Sequence, residues 1–132
     1  MNQKKNITYT PGVCNIDATE IQQRKYVGYT GLFITILVVV ISLIHDWGSI
    51  ATFAAAFLPS FLAALGFLQA RSAFCADYGL RGKYKSDDIG EVQAAPDSDR
   101  SANKRRAIKI IGKSIILATV ASLALAMINS VF

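Results

Sequence analysis

Apolar residues in this chain are gathered into three long blocks, separated by short or strongly polar stretches. The blocks cover residues 27–44, 50–70 and 110–132, and they are 18, 21 and 23 residues long. None of them shows the polar face at helical period that a helix on the surface of a soluble protein needs. Since about 20 apolar residues in a helix cross the hydrocarbon core of a bilayer, each block predicts a membrane span.

The first two blocks form a hairpin. Block 27–44 contains no charged residue, and twelve of its residues are Leu, Ile, Phe or Val, worth roughly −4 to −7 kcal/mol for insertion. The turn 45–48, with the sequence HDWG, is too short for anything but an antiparallel connection. The sequence therefore predicts an all-α integral membrane protein with three transmembrane helices, namely the hairpin 27–70 and a C-terminal span 110–132.

Four segments follow from this pattern. Residues 1–17 form a polar N-terminal segment, and residues 18–70 form the helical membrane hairpin, whose first helix begins at the capping pattern of Asp17 and Glu20. Residues 71–106 form a cytoplasmic loop that includes a solvated linker with little fixed structure. Residues 107–132 form the third transmembrane helix.

Charge gives the chain an orientation. All 14 Lys and Arg residues lie at positions 4–25 and 71–113, so the positive-inside rule predicts a cytoplasmic N-terminus and an external C-terminus. The same distribution favours membrane lipids over nucleic acid as the partner of these side chains. Seven of them are expected at lipid headgroup depth: Arg24, Lys25, Lys104, Arg105, Arg106, Lys109 and Lys113.

Small residues suggest how the spans pack. A small side chain recurs at every fourth position of the third span, and such stripes are typical of helix-packing faces in lipid: Ser114, Ala118, Ser122, Ala126 and Ser130. Pro59 lies in the middle of the second span and predicts a helix kink. A gate at Pro59 is the functional alternative.

The two cysteines are the most reactive side chains in the sequence. Cys14 and Cys75 fall on the same side of the membrane, where they form a possible thiol pair that oxidation could join. A reducing compartment and the absence of a Cys-x-x-Cys motif favour a packing role instead. His45, beside Asp46, is the sole histidine and is interpreted as a helix cap rather than a metal ligand. No metal or cofactor is expected.

Seven residues around the hairpin resemble the membrane domain of the YgaP-like family: Asn15, Arg24, Gly28, Cys75, Tyr78, Leu80 and Gly82. That family has an Asn-x8-Arg-x3-Gly stretch before a two-span hairpin and a Cys-Pro-x-Tyr-type stretch after it. Here Ala76 replaces the usual Pro, Ile21 stands where a second Arg is expected, and a third span is added. The resemblance covers residues 15–82 and implies a small bacterial inner-membrane hairpin that associates through its helices. No rhodanese domain is present, so it implies no sulfurtransferase activity.

Function is predicted by exclusion. The spans hold no deep carboxylate or base for a proton relay, and His45 is the lone candidate base for a hydrolase. We therefore expect a non-enzymatic membrane protein that acts by helix packing, as a self-associating or accessory subunit of a larger membrane protein complex. The alternative is a small oligomeric channel or exporter for a small solute.

Overall fold

The computed structural model describes residues 8–87 and 89–132. Its three long helices are α1 (Ala18–Ile44), α2 (Ser49–Ser72) and α4 (Arg100–Val131). Each is long and apolar enough to cross a membrane, which confirms the all-α, three-span fold. Between α2 and α4 lie a short helix α3 (Ala76–Arg81), strands β1 (Lys83–Lys85) and β2 (Val92–Ala94), and a single 3-10 turn (Asp97–Asp99).

The ends of α1 are fixed by local backbone chemistry. At its start the Asp17 carboxylate accepts the Glu20 N–H at 2.9 Å, as the capping pattern predicts. At its other end the His45 N–H bonds the Ile41 carbonyl oxygen, so His45 is the C-cap. Asp46 then adopts a positive φ of 50° and turns the chain into α2.

Helices α1 and α2 pack at very close range because glycines line their contact. A Cβ added at Gly31 would lie 2.5 Å from the Ala63 nitrogen and 2.7 Å from the Pro59 carbonyl oxygen. One turn towards the chain start, Gly28 faces Gly66 in the same way. Only glycine permits this approach of two backbones.

Helix α2 is the centre of the bundle, because α1 and α4 both pack along it and barely touch each other. Pro59 is buried within α2, which runs without interruption from residue 49 to residue 72. The bend expected at Pro59 stays a prediction.

The two ends of the bundle differ in chemistry. One end holds the described N-terminal residues, α3, the β-hairpin and the start of α4, and we call it the basic end. The opposite end holds the 45–48 turn and Phe132, and we call it the turn end. The side chain of Asn129 links α4 to the turn end, since its Nδ2 donates to the Trp47 carbonyl oxygen and its Oδ1 accepts from the Ser42 hydroxyl.

The basic end is a folded cap, and this corrects the expectation of an unstructured linker within 71–106. Strands β1 and β2 pair antiparallel, with Tyr84 opposite Gln93. Phe74 is fully buried against Ala76, Ala107 and Ile110. The expected linker is rich in polar residues. A few small buried apolar side chains, and backbone hydrogen bonds between residues distant in sequence, give it a fixed structure.

Helix α4 begins at Arg100 rather than at residue 107, because the basic triplet 104–106 continues the helix out of the membrane span. The described part of the polar N-terminal segment, residues 8–17, is held against the rest of the basic end. The Gly12 N–H donates to Asn103 Oδ1 at 2.8 Å, and the Tyr9 ring stacks on Tyr84 at 4.0 Å. Residues 1–7 of that segment, with Lys4 and Lys5, lie outside the described residues.

Candidate functional site

Both cysteines lie at the basic end, and both are free. The Cys14 thiol donates to the Thr8 carbonyl oxygen at 2.9 Å. The Cys75 thiol is buried and accepts a hydrogen bond from Arg24 Nη2 at 3.2 Å. The structure thus brings the possible thiol pair to one end of the bundle, but each sulfur has its own partner.

Arg24, one of the seven side chains expected at headgroup depth, makes contacts within the protein. Its guanidinium pairs with Glu20 Oε2 at 3.3 Å, and its side chain is 22% exposed. The nearby carboxylate of Asp17, the N-cap residue of α1, is also paired, because Lys85 Nζ lies 3.3 Å from Asp17 Oδ2. Arg24 of α1 therefore helps to hold the folded cap through its hydrogen bond to Cys75.

Tyr78 belongs to the same group of charges. Its hydroxyl donates to Glu20 Oε1 at 3.3 Å. Burial raises the pKa of Tyr78 above the usual value of 10.0, and the nearby negative charge of Glu20 raises it further. The phenol thus stays neutral and serves as a hydrogen-bond donor to Glu20.

No group of three His, Cys, Asp or Glu side chains that could hold a metal ion lies within residues 8–87 and 89–132. The other six side chains expected at headgroup depth differ in their exposure to solvent. Arg106 is half-buried, and the remaining side chains are exposed: Lys25, Lys104, Arg105, Lys109 and Lys113.

The small-residue stripe of α4 lies inside the molecule over most of its length. Its first four members are buried in the face of α4 that packs on the rest of the bundle: Ser114, Ala118, Ser122 and Ala126. Ser130, one turn further, is exposed. The stripe thus packs α4 onto this chain, and its last turn alone is open to another molecule.

An apolar groove of about 370 Å³ begins where the stripe leaves the bundle. It lies at the turn end between α2 and α4, with Ala126 and Ser130 on one side and Ile50 and Phe53 on the other. Met127 also lines it and is 65% exposed. This arrangement offers a small-residue floor and adaptable apolar walls to an incoming helix.

A second apolar groove of about 580 Å³ lies deeper in the spans, with α2 as its floor and α1 and α4 as its walls. Its polar groups are Thr35 and Ser60, whose oxygens are 3.5 Å apart. Thr35 also donates to the Gly31 carbonyl oxygen at 2.8 Å. The hydroxyls are therefore largely satisfied, and the groove is suited to hydrocarbon.

Several structural residues were not singled out from the sequence. Gly31 and Asn129 hold the helices together, and Asn103 fixes the N-terminal segment, as described above. The glycines had a readable signal, because Gly28 and Gly31 share one helix face with Thr35 at spacings of three and four residues. The two asparagines were harder to recognise from the sequence, because a single amide side chain does not indicate which group it will bond.

No protein family, curated protein or solved structure matches this chain. The resemblance to the YgaP-like membrane domain therefore stays a prediction.

Proposed function

We propose that this chain is a small helix-docking subunit of a membrane assembly, acting by packing rather than by catalysis. The observation that carries the proposal is the groove at the turn end, which continues the contact between α2 and α4. Ala126 is buried in that contact, whereas Ser130, at the next turn of the same stripe, is exposed in the groove. A partner helix that approaches Ser130 extends packing that the chain already uses.

The occupant we propose is a transmembrane helix of another subunit. The groove lies at the turn end and is lined almost wholly by apolar atoms, so a second helix packs there with little burial of polar groups. Ile50 is 86% exposed and Met127 is 65% exposed at its rim, so both gain contacts when a helix enters.

The bacterial inner membrane, with the basic end in the cytoplasm, is the proposed location. Two observations support it: the described Lys and Arg side chains lie in the half of the molecule nearer the basic end, and the YgaP-like resemblance points to bacteria. The turn end and Phe132 then lie on the external side.

A channel or exporter is the less favoured alternative. Several hydroxyls within the spans bond carbonyl oxygens of their own helices, as Ser114 does with Ile110 at 2.8 Å and Thr119 with Ile115 at 2.8 Å. Side chains engaged in this way favour packing over a polar path.

The mass of the assembly purified in mild detergent tests the proposal. Ser130→Phe fills the groove and is expected to remove the partner from the purified assembly. Val120→Phe is the matched control, because Val120 is 60% exposed on α4 and lies outside the groove. Native mass spectrometry then gives the composition of each assembly.

A stoichiometric partner that Ser130→Phe loses and Val120→Phe keeps supports docking, whether that partner is a second copy or another protein. A parent protein that is monomeric in native membranes overturns the proposal, as does an assembly that both variants retain.

A further inference from the structure

Two basic side chains meet at one pocket of the basic end without an acidic partner. Lys25 of α1 and Arg71 of α2 both line a pocket of about 480 Å³. Both side chains are exposed, and no ion pair within the described ranges 8–87 and 89–132 includes either. The neighbouring cations Arg24 and Lys85 differ, because both pair with Glu20. The pocket thus presents two uncompensated positive charges.

Aromatic rings form the inner wall of this pocket. Tyr29 and Phe67 meet edge to face, with ring centroids 5.1 Å apart and planes at 85°. Phe67 also covers Gly28, where an added Cβ would lie 2.8 Å from its ring. Paired rings beside cations, just inside the charged end of a span, are typical of the membrane interface.

The pocket lies one helical turn from the 580 Å³ apolar groove. Leu32 of the groove follows Tyr29 by three residues on α1, and Ala64 precedes Phe67 by three residues on α2. Residues three or four apart share one face of a helix, so the pocket and the groove lie on the same side of α1 and α2. A molecule that fills both has an anionic head and a hydrocarbon tail.

Helix α4 adds a third cation to this side. Leu117 lines the groove, and Lys113 precedes it by four residues on the same helix face. Lys113 is exposed and has no ion pair among the residues that the structure describes. The cations therefore lie at the groove end nearer the basic end, where a headgroup would sit.

We propose that this side of the molecule binds an anionic glycerophospholipid. The headgroup phosphate lies between Lys25 and Arg71, and one acyl chain follows the apolar groove past Leu32 and Ala64. A zwitterionic lipid is a poorer fit, because its own cation faces two side chains of the same charge. The site is separate from the groove at the turn end, so it does not rest on the proposed function.

Native mass spectrometry of the full chain tests this inference, with phosphatidylglycerol and phosphatidylcholine of identical acyl chains as probes. The parent is expected to retain the anionic lipid over the zwitterionic one by about 30-fold, the factor expected of two cations near a charged membrane surface. The double variant Lys25→Gln, Arg71→Gln is expected to lose that preference. The double variant Lys83→Gln, Arg100→Gln removes the same charge from exposed positions outside the pocket and is expected to keep it.

Two further measurements address the acyl chain and the source of the phosphate. Ala124→Phe places a ring in the groove at an exposed position of α4 and is expected to reduce retention of phosphatidylglycerol. Inorganic phosphate is expected not to displace that lipid. Equal retention of both lipids by the parent overturns the inference, as does an equal loss in the two double variants. Displacement by inorganic phosphate, or an Ala124→Phe variant that binds like the parent, overturns the placement of the acyl chain.

Discussion

The side-chain amide of Asn15 bonds the backbone of Cys75 in both directions. Its Nδ2 donates to the Cys75 carbonyl oxygen at 3.0 Å, and its Oδ1 accepts the Cys75 N–H at 2.6 Å. Asn15 is fully buried, and its own backbone N–H donates to the Ala73 carbonyl oxygen at 3.1 Å. One residue thus joins the start of α1 to the exit of α2.

Asn15→Ala is expected to destabilise the cap by about 1–3 kcal/mol, because two buried backbone groups of Cys75 lose their partners. The Cys75 thiol should then react faster with a membrane-permeant maleimide, measured in a Cys14→Ser background. Cys14→Ser alone is the control and should change the free energy of unfolding by no more than about 0.5 kcal/mol. Unchanged labelling of Cys75 would contradict this prediction.

Gly31→Ala is expected to weaken the hairpin by about 1–3 kcal/mol, since the new methyl group meets the α2 backbone and overpacks the contact. Gly112→Ala is the matched control, because no atom lies within 4 Å of a Cβ at that helical position. It should be neutral or stabilise α4 by up to about 1 kcal/mol. Thermal unfolding in micelles compares the two variants, and equal midpoints would show that α1 and α2 are not in close contact.

Ser122 separates the effect of a hydroxyl from that of side-chain volume. Its Oγ is buried and has no hydrogen-bond partner, so Ser122→Ala should not lower the free energy of unfolding. Ser122→Leu should lower it by about 1–3 kcal/mol, because the larger side chain pushes α4 from α2. If the leucine variant is as stable as the alanine variant, this face of α4 is open rather than packed.

Alkaline pH should destabilise the cap through Tyr78. Because its pKa is higher in the folded protein than the usual 10.0, the contribution of Tyr78 to stability is complete below pH 10.0 and is lost as the pH rises through the folded pKa. Tyr78→Phe should remove that part of the pH dependence and cost about 1 kcal/mol at neutral pH, from the lost hydrogen bond to Glu20. Denaturant unfolding on either side of pH 10.0 measures both effects, and parallel pH profiles would refute the assignment.

Membrane orientation can be read with reporters at two points. One reporter follows Phe132, and the other is inserted after Gly90, an exposed position with φ of 70° and no atom within 4 Å of an added Cβ. Three spans and the positive-inside rule place these points in opposite compartments, with Gly90 in the cytoplasm. Reporter activity in one shared compartment would exclude three spans.

The parts of the fold that follow from local sequence were predictable. Hydropathy over 18 or more residues predicts a span, and the N-cap at Asp17 depends only on Glu20, three residues later. The cap at the basic end was missed because its bonds are distant in sequence, as between Asn15 and Cys75 or between Lys85 and Asp17. The protein contacts of Arg24 were missed for the same reason, since Cys75 lies 51 residues away in the sequence. The stripe of α4 was readable as a packing face, but its partner was not.

The four-residue repeat of the stripe has a further consequence for folding. A slide of α4 by one repeat, about 6 Å along its axis, would bring serine and alanine onto equivalent places, so small-residue packing alone discriminates poorly between neighbouring registers. Asn103 and Asn129 remove this degeneracy, because each bonds a fixed point at one end of the bundle. The two amides fix the axial position of α4, so the helix between them can repeat similar small residues and still pack in one register.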